Sequence, residues 1–377
     1  MKKIFVIPVL FFLSISLFGF EWGGLFSDDS KLSTDLTSFS VRQSNNISVW
    51  TKAAFNDDGS AYFVSQGSFK YYWNISNEDN SFLPILNLDL FKFSFLGKTK
   101  NTATLLSVGR FSLADTTGKI FSQPCDGLLL NFTLPRVKID LYGGYTGMLN
   151  SLEISMLGKH SPSEAETIYA SSYAYIPASL SFSFPNIIRN QQLVLQFLSF
   201  IDPAEDPYNR FYGNVMLSGP VTNSIYYSVT TVLGSLNFQN FMNYSEAFLL
   251  FNIGKSFSLS AGASYASGTQ AFLQPFVGFT SYTAYNSSLS PELSGVILPT
   301  VTFSLIQEAI CVIIDAAGVF DFPETQITFK GVNANFSLIG NIFSDLQLKM
   351  KVAGFYDLTE SGTETNFSVT LSAGLSF

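Results

Sequence analysis

The chain has 377 residues, of which 47% are hydrophobic and only 13% charged, with a formal net charge of −8. That charged share is about half of what an ordinary soluble domain carries, and 39 phenylalanines add to the apolar character. The acidic balance, with no basic patch and no Gly-rich phosphate loop, excludes nucleic acid as an expected partner; a single histidine and two cysteines leave little for metal chemistry.

At the start, Lys2 and Lys3 precede an apolar run over 4–18 and the small residue Gly19. This is the layout of a secretory signal peptide covering 1–19. The run is short for a membrane helix, which needs about 20 residues. Later in the chain the longest apolar stretch, 305–320, is interrupted by Gln307, Glu308 and Asp315. An exported, apolar chain without spanning helices points to a closed β-barrel. In lipid, only helices and closed barrels pair every backbone N–H and C=O.

The periodicity agrees. Ile47, Val49, Thr51, Ala53 and Phe55 alternate with Ser48, Trp50, Lys52 and Ala54. A strand with apolar residues toward lipid and polar ones toward a wet lumen has this period of two. Near 89–92 the phase slips, which marks a bulge. Leu128, Leu130, Phe132 and Leu134 alternate with Leu129, Asn131 and Thr133, and Val137, Ile139 and Leu141 with Lys138, Asp140 and Tyr142. Val332, Ala334, Phe336 and Leu338 alternate with Asn333, Asn335 and Ser337, and Leu346, Leu348, Met350 and Val352 with Gln347, Lys349 and Lys351. In the last segment, Phe367, Val369, Leu371, Ala373, Leu375 and Phe377 alternate with Ser368, Thr370, Ser372, Gly374 and Ser376 without a slip.

Short turn-like links at 56–60, 97–101, 135–136, 219–222 and 254–256 separate longer polar ones at 74–81, 113–125, 150–166, 202–210 and 286–294. The segment count comes out odd, with the parity breaking between Ser256 and Ser294. A single-chain bacterial barrel has an even number of strands, so 271–282 is assigned to loop or to a longer strand. The expected fold is all-β: one transmembrane antiparallel up-and-down barrel over 20–377. It has about 18 strands, with about 16 as the alternative. The segment 20–35 is too short for a plug domain but long enough for a small hatch.

The closing segment "FSVTLSAGLSF" resembles the C-terminal signal of bacterial outer-membrane barrels, porins among them. The resemblance implies an outer-membrane location and recognition of 367–377 by the barrel assembly machinery. The pattern "GRxxxxDxTGxIxxxxxDG" followed by "LYGGYTG", over 109–147, is similar to large outer-membrane proteins of spirochaetes.

Charge placement nominates a site. Lys52, Lys92, Lys138, Lys330, Lys349 and Lys351 stand within strand-like segments, whereas most acids stand in connections. A lysine facing lipid at the midplane costs about 2–4 kcal/mol, so these bases are expected to face the lumen. The alternation assigns Lys138, Asp140, Lys349 and Lys351 to the lumen lining. A lumen of net positive potential under an acidic rim is expected, with snorkelling at strand ends as the alternative. The segment "GRFSLADTTGKIFSQPCDGLLL", 109–130, is a polar interruption between two apolar stretches. Folding of 113–125 into the barrel would make Arg110, Asp115, Lys119 and Asp126 a mixed-charge constriction. The alternative is an outer loop held by pairing of Arg110 with an aspartate.

His160 has Ser161 and Ser163 nearby but no strand-borne partner for a catalytic pair, so no enzyme, cofactor or metal is expected. Cys125 and Cys311 are expected as free thiols. Trp22, Trp50 and Trp73 are candidates for interfacial girdles. The function expected first is passive diffusion of small solutes through an aqueous lumen. The alternatives are uptake of hydrophobic substrates past an N-terminal hatch, hinted at by "FEWGGLF", and a surface-exposed structural or adhesin barrel. The expected partners are outer-membrane lipid and small-molecule solutes; monomer and oligomer are both compatible with the sequence.

Overall fold

A computed structural model describes residues 20–35, 37–76, 80–154, 156–157, 168–270, 272–282, 293–322, 326–359, 362 and 364–377. The segment 1–19, read above as a signal peptide, lies outside the described residues, as does His160. The strands in chain order are β1 (Phe20–Thr34), β2 (Phe39–Ala54), β3 (Ala61–Ser76), β4 (Asn80–Lys98), β5 (Ala103–Ala114) and β6 (Ser122–Thr133). They continue as β7 (Lys138–Tyr145), β8 (Ile176–Ile188), β9 (Gln191–Ile201), β10 (Arg210–Pro220), β11 (Ile225–Leu236) and β12 (Asn240–Ile253). The last six are β13 (Phe257–Ala266), β14 (Val296–Gln307), β15 (Ile310–Asp321), β16 (Thr328–Asn341), β17 (Leu346–Asp357) and β18 (Asn366–Ser376).

All 18 strands form one antiparallel sheet in which each pairs with its chain neighbours, and β1 pairs with both β2 and β18. The sheet therefore closes on itself and leaves no edge. The closure has a lock at the chain's end. Gly24 N donates to Phe377 O at 2.9 Å and Phe377 N to Gly24 O at 3.1 Å. The Phe377 ring lies on Gly24, where a Cβ would come within 2.3 Å of it. A glycine at 24 is what lets the terminal ring sit flat on the neighbouring strand.

The alternation read from sequence maps onto the two faces. Phe26, Ile47, Phe69 and Leu375 are register partners and all exposed, on the outer face. The residues between them, such as Ser48 and Ser68, are buried on the inner face. The phase slip near Asp89 is a bulge: Gln66 pairs with Leu90 and Gly67 with Leu88, which leaves Asp89 as the extra residue. The connections separate by length. At one end lie tight turns such as Arg189–Asn190, a two-residue link with φ of 46° and 67°, as a twisted hairpin requires. At the other end lie the described parts of the long connections, 146–154 with 168–175 and 267–270 with 272–282 among them.

Two expectations need correction. The segment 20–35 is not a hatch: it supplies β1, hydrogen-bonded on both sides along its length. Trp50 is not in an outer girdle either, because it pairs with Gly23 and Gln66 on the inner face. Trp22 and Trp73 do lie exposed on the outer face, toward opposite ends. The parity break has a simple cause. β13 ends at Ala266 and β14 begins at Val296, and the described part of 271–282 between them is loop.

Candidate functional site

A barrel of 16 to 18 strands leaves an aqueous channel unless something fills it, so the inner face is the place to look. It divides into two unlike halves. On β17, β18, β1 and β2 the inner positions are polar and basic. Lys31 of β1 stands between Arg42 of β2 and Thr370 of β18, which in turn faces Lys351 of β17. The next row toward the turn end holds Lys349, Ser372, Asp29 and Ser44. The Arg42 guanidinium lies 4.4 Å from the centre of the Tyr72 ring. Among the described residues, none of Lys31, Arg42, Lys349 and Lys351 enters an ion pair. Lys349 and Lys351 stand on the same face of the sheet as Lys31 and Arg42. Lys138 and Asp140 share the inner face of β7 near the turn end and form an ion pair at 3.0 Å.

The other half, from β5 to β13, is covered by chain. The connection 115–121 lies against the inner wall of strands well beyond its own hairpin. Thr116 N donates to Gln196 Oε1 of β9 at 3.0 Å, and Asn214 Nδ2 of β10 donates to the same oxygen at 3.1 Å and to Thr116 Oγ1 at 3.3 Å. Asp115 shapes this loop. Its carboxylate accepts from Thr117 N at 2.8 Å, Ile120 N at 3.0 Å and Phe121 N at 2.8 Å. Those three amides would otherwise be unpaired in a turn too tight for a ladder.

A second segment, 272–282, continues the cover. Gln274 N donates to Phe241 O at 2.7 Å, Tyr212 Oη to Val277 O at 2.7 Å, and Arg210 Nη1 to Gly278 O at 2.9 Å. It meets the first loop where Phe279 N and Thr280 N donate to Ile120 O at 2.7 and 2.9 Å. A Cβ at Gly278 would lie 2.6 Å from Lys119 O, so only glycine permits this crossing. Phe279 stacks on Phe200 with centroids 4.1 Å apart. Phe121, Tyr175 and Phe276 complete a dry cluster inside the barrel, over inner-face residues such as Tyr142, Leu198 and Tyr212. Arg210 is fully buried there, its guanidinium 4.7 Å from the centre of the Phe279 ring. Lys119 hydrogen-bonds Tyr282 and lies in the field of Glu246, an inner-face residue of β12. A third connection docks on these loops: Leu157 N donates to Phe279 O at 2.8 Å. Tyr173 Oη donates to Asp202 Oδ1 at 2.9 Å. Burial, then that carboxylate, push the Tyr173 phenol up to about 12.

The structure separates the four residues that sequence grouped. Asp115 and Lys119 belong to the inward cover. Arg110 and Asp126 do not: they are register partners on the sheet face of Val108 and Leu128, which is the outer one. They form a two-pronged pair, Nε to Oδ1 at 2.7 Å and Nη2 to Oδ2 at 2.8 Å, with Arg110 only 5% exposed. The physical reason is phase: nothing shifts the register between Val108 and Arg110. Their place in the wall is specific. β4 pairs with β5 only from Lys98 back to Phe91. Beyond that point the strands part, and 146–154 with 168–170 fills the seam. Leu86 N donates to Ile168 O at 3.3 Å, and Asn150 Nδ2 to Leu86 O at 3.0 Å. Arg110 ties both sides, donating from Nη1 to Leu88 O at 3.0 Å and from Nη2 to Met148 O.

Sequence reasoning missed Lys31, Arg42, Gln196, Asn214 and Glu246. The first two have a signal in retrospect: both sit on β1 and β2 in phase with polar neighbours. Among the described residues no group of His, Cys, Asp and Glu is arranged to hold a metal, and Cys125 and Cys311 are free thiols.

No protein-family model and no curated protein matches the chain. Solved structures do. OpdQ of Pseudomonas aeruginosa superposes with a TM-score of 0.63 at 9% identity, covering 95% of this chain and 98% of that one. The outer membrane protein OprD of Pseudomonas aeruginosa gives 0.60 at 12%, covering 95% and 93%. OccAB4 of Acinetobacter baumannii gives 0.60 at 12%, covering 95% and 98%. At such identities the likeness establishes the fold: a closed 18-stranded antiparallel barrel.

Proposed function

We propose that the protein is an outer-membrane channel for passive diffusion of small hydrophilic solutes, and that they pass along the basic half of the lumen. The observation that carries this reading is the row Arg42, Lys31, Thr370 and Lys351. It is a polar, cationic surface on the inside of a barrel wide enough for water, beside a half that is covered. Fixed positive charge along a narrowed path lowers the barrier for anionic solutes and raises it for cations. In this reading Asp115 and Lys119 set the bore from the covered side. Lys138 and Asp140, being paired near the turn end, contribute less to the field than Lys349 and Lys351. Support for an outer-membrane setting comes from the exposed apolar outer face and the terminal strand closed on Phe377. The same reading takes 1–19 as an export leader and Phe367 to Phe377 as the strand the assembly machinery recognises.

Liposome swelling tests the function. Vesicles holding the refolded protein should swell in small sugars and organic acids, faster for anionic than for cationic solutes of equal size. Vesicles that do not swell in any of them would remove the channel reading.

A further inference from the structure

The outer face of β1 carries an unexpected group. Between Phe26 and Leu32 its outward residues are Asp28 and Ser30. Phe26 pairs with Ile47 and Leu375, Leu32 with Val41 and Val369, and no register shift lies between them. The carboxylate therefore stands on the same face as the exposed Phe26, Ile47 and Leu375. Asp28 is partnered across by Asn45 of β2, and Asn45 by Tyr71 of β3. Three hydrogen bonds knit the patch. Gln43 Nε2 donates to Asp28 Oδ2 at 2.7 Å, Ser30 Oγ to Gln43 Oε1 at 2.5 Å, and Asn45 Nδ2 to Tyr71 Oη at 2.7 Å.

These bonds leave capacity over. Tyr71 accepts from Asn45, so its own proton remains to be donated, and among the described residues it has no acceptor. Asp28 Oδ1 likewise has no donor. Trp22 flanks the patch toward the turn end and Leu32 toward the loop end, which places it mid-belt. At that depth lipid tails offer neither donor nor acceptor, and ionisable groups in such positions face protein or water rather than lipid.

We propose that β1–β3 is the interface of a parallel dimer with a second copy of this chain, related by a twofold axis along the membrane normal beside β2. Asp28 and Tyr71 flank β2 on opposite sides, in one register row. The twofold brings each Asp28 carboxylate against the Tyr71 hydroxyl of the second copy, and the proton Tyr71 can give goes to the oxygen Asp28 has free. The contact is made twice, as an isologous interface requires, and the two carboxylates do not meet. Exposed Ile47 and Phe69 pack around the polar centre. The inference rests on reading the outer face as lipid-facing.

The test uses the full barrel refolded into phospholipid vesicles, with folding scored by heat-modifiable gel migration and insertion by conductance. Ile47→Cys, close to the axis, should give a disulfide-linked dimer on mild oxidation. Leu233→Cys, exposed on the opposite wall, should stay monomeric. Adding Asp28→Leu to Ile47→Cys should lower the dimer yield by about tenfold or more, while the barrel stays folded and conducting. A conducting barrel that remains monomeric, a dimer yield unchanged by Asp28→Leu, or a trimeric mass overturns the dimer and leaves the channel intact. A barrel that does not enter the bilayer overturns both.

Discussion

The inner faces of β17, β18, β1 and β2 carry Lys349, Lys351, Lys31 and Arg42, which have no ion-pair partner among the described residues. Those of β6 to β12 carry Tyr142, Leu198, Phe200, Tyr212 and Met242 beneath chain folded in from the loop end. One barrel thus holds two kinds of wall. Most outer-face positions of its strands are apolar, but the inner faces follow what each must contact. An aromatic inner face would be poorly solvated by channel water, and the folded-in loops bury it. A basic inner face needs water or a counter-ion, and it is left uncovered. The lumen chemistry is therefore set by which half the loops select.

The covered wall depends on a few buried contacts. Phe279→Ala removes the ring stacked on Phe200 and should cost about 3–5 kcal/mol, as for a buried aromatic truncation. The segment 272–282 should detach and single-channel conductance rise several-fold, with added noise; unchanged conductance would mean that the cover does not narrow the path. Asp126→Ala strands the Arg110 guanidinium in the seam. Breaking a buried pair costs about 3–5 kcal/mol, and Asp126 is partly exposed, so the lower end applies. Heat-modifiable migration should shift to a lower temperature with ion preference unchanged, because the pair lies outside the lumen. A changed ion preference would return Arg110 to the pore.

Asp115→Ala has a smaller effect. It leaves several loop amides without acceptors, at about 1–3 kcal/mol, and should loosen 115–121 while the barrel stays intact. Amide exchange of Thr117, Ile120 and Phe121 reads it directly. The smallest effect is a pH dependence. Tyr173 has a folded pKa of about 12, above the ordinary phenol value of about 10. Its contact with Asp202 is therefore at full strength below the ordinary value and is lost as pH rises through the folded one. Subtracting the phenolate titration of Tyr173→Phe from wild type should leave a component near the raised value; a component at the ordinary value would detach Tyr173 from Asp202.

Much of the wall was legible in the sequence, because a period of two needs only local information. Lys349 and Lys351 followed from alternation with Leu348 and Met350. The cover was not legible to the same degree. Phe276 and Phe279 resemble strand residues, and what makes them loop is Pro275, Gly278 and the distant surfaces of Phe200 and Tyr212. For Arg110 the sequence left two readings open, a lumen constriction from its polarity and pairing with an aspartate; its phase with Val108 favours the second, and it pairs with Asp126. Trp50 was misplaced: aromatic chemistry suggested a girdle while its phase with Ser48 put it inside. Where residue chemistry and strand phase disagreed, phase decided, since one step of register moves a side chain to the other face.

The claim that solutes follow the basic wall is tested most directly by the reversal potential of single channels in a salt gradient, measured for wild type and for Arg42→Glu with Lys351→Glu. Wild type should show an anion preference that inverts in the double variant with the barrel still folded. A cation preference in wild type, or a reversal potential that the two substitutions leave unmoved, would contradict it.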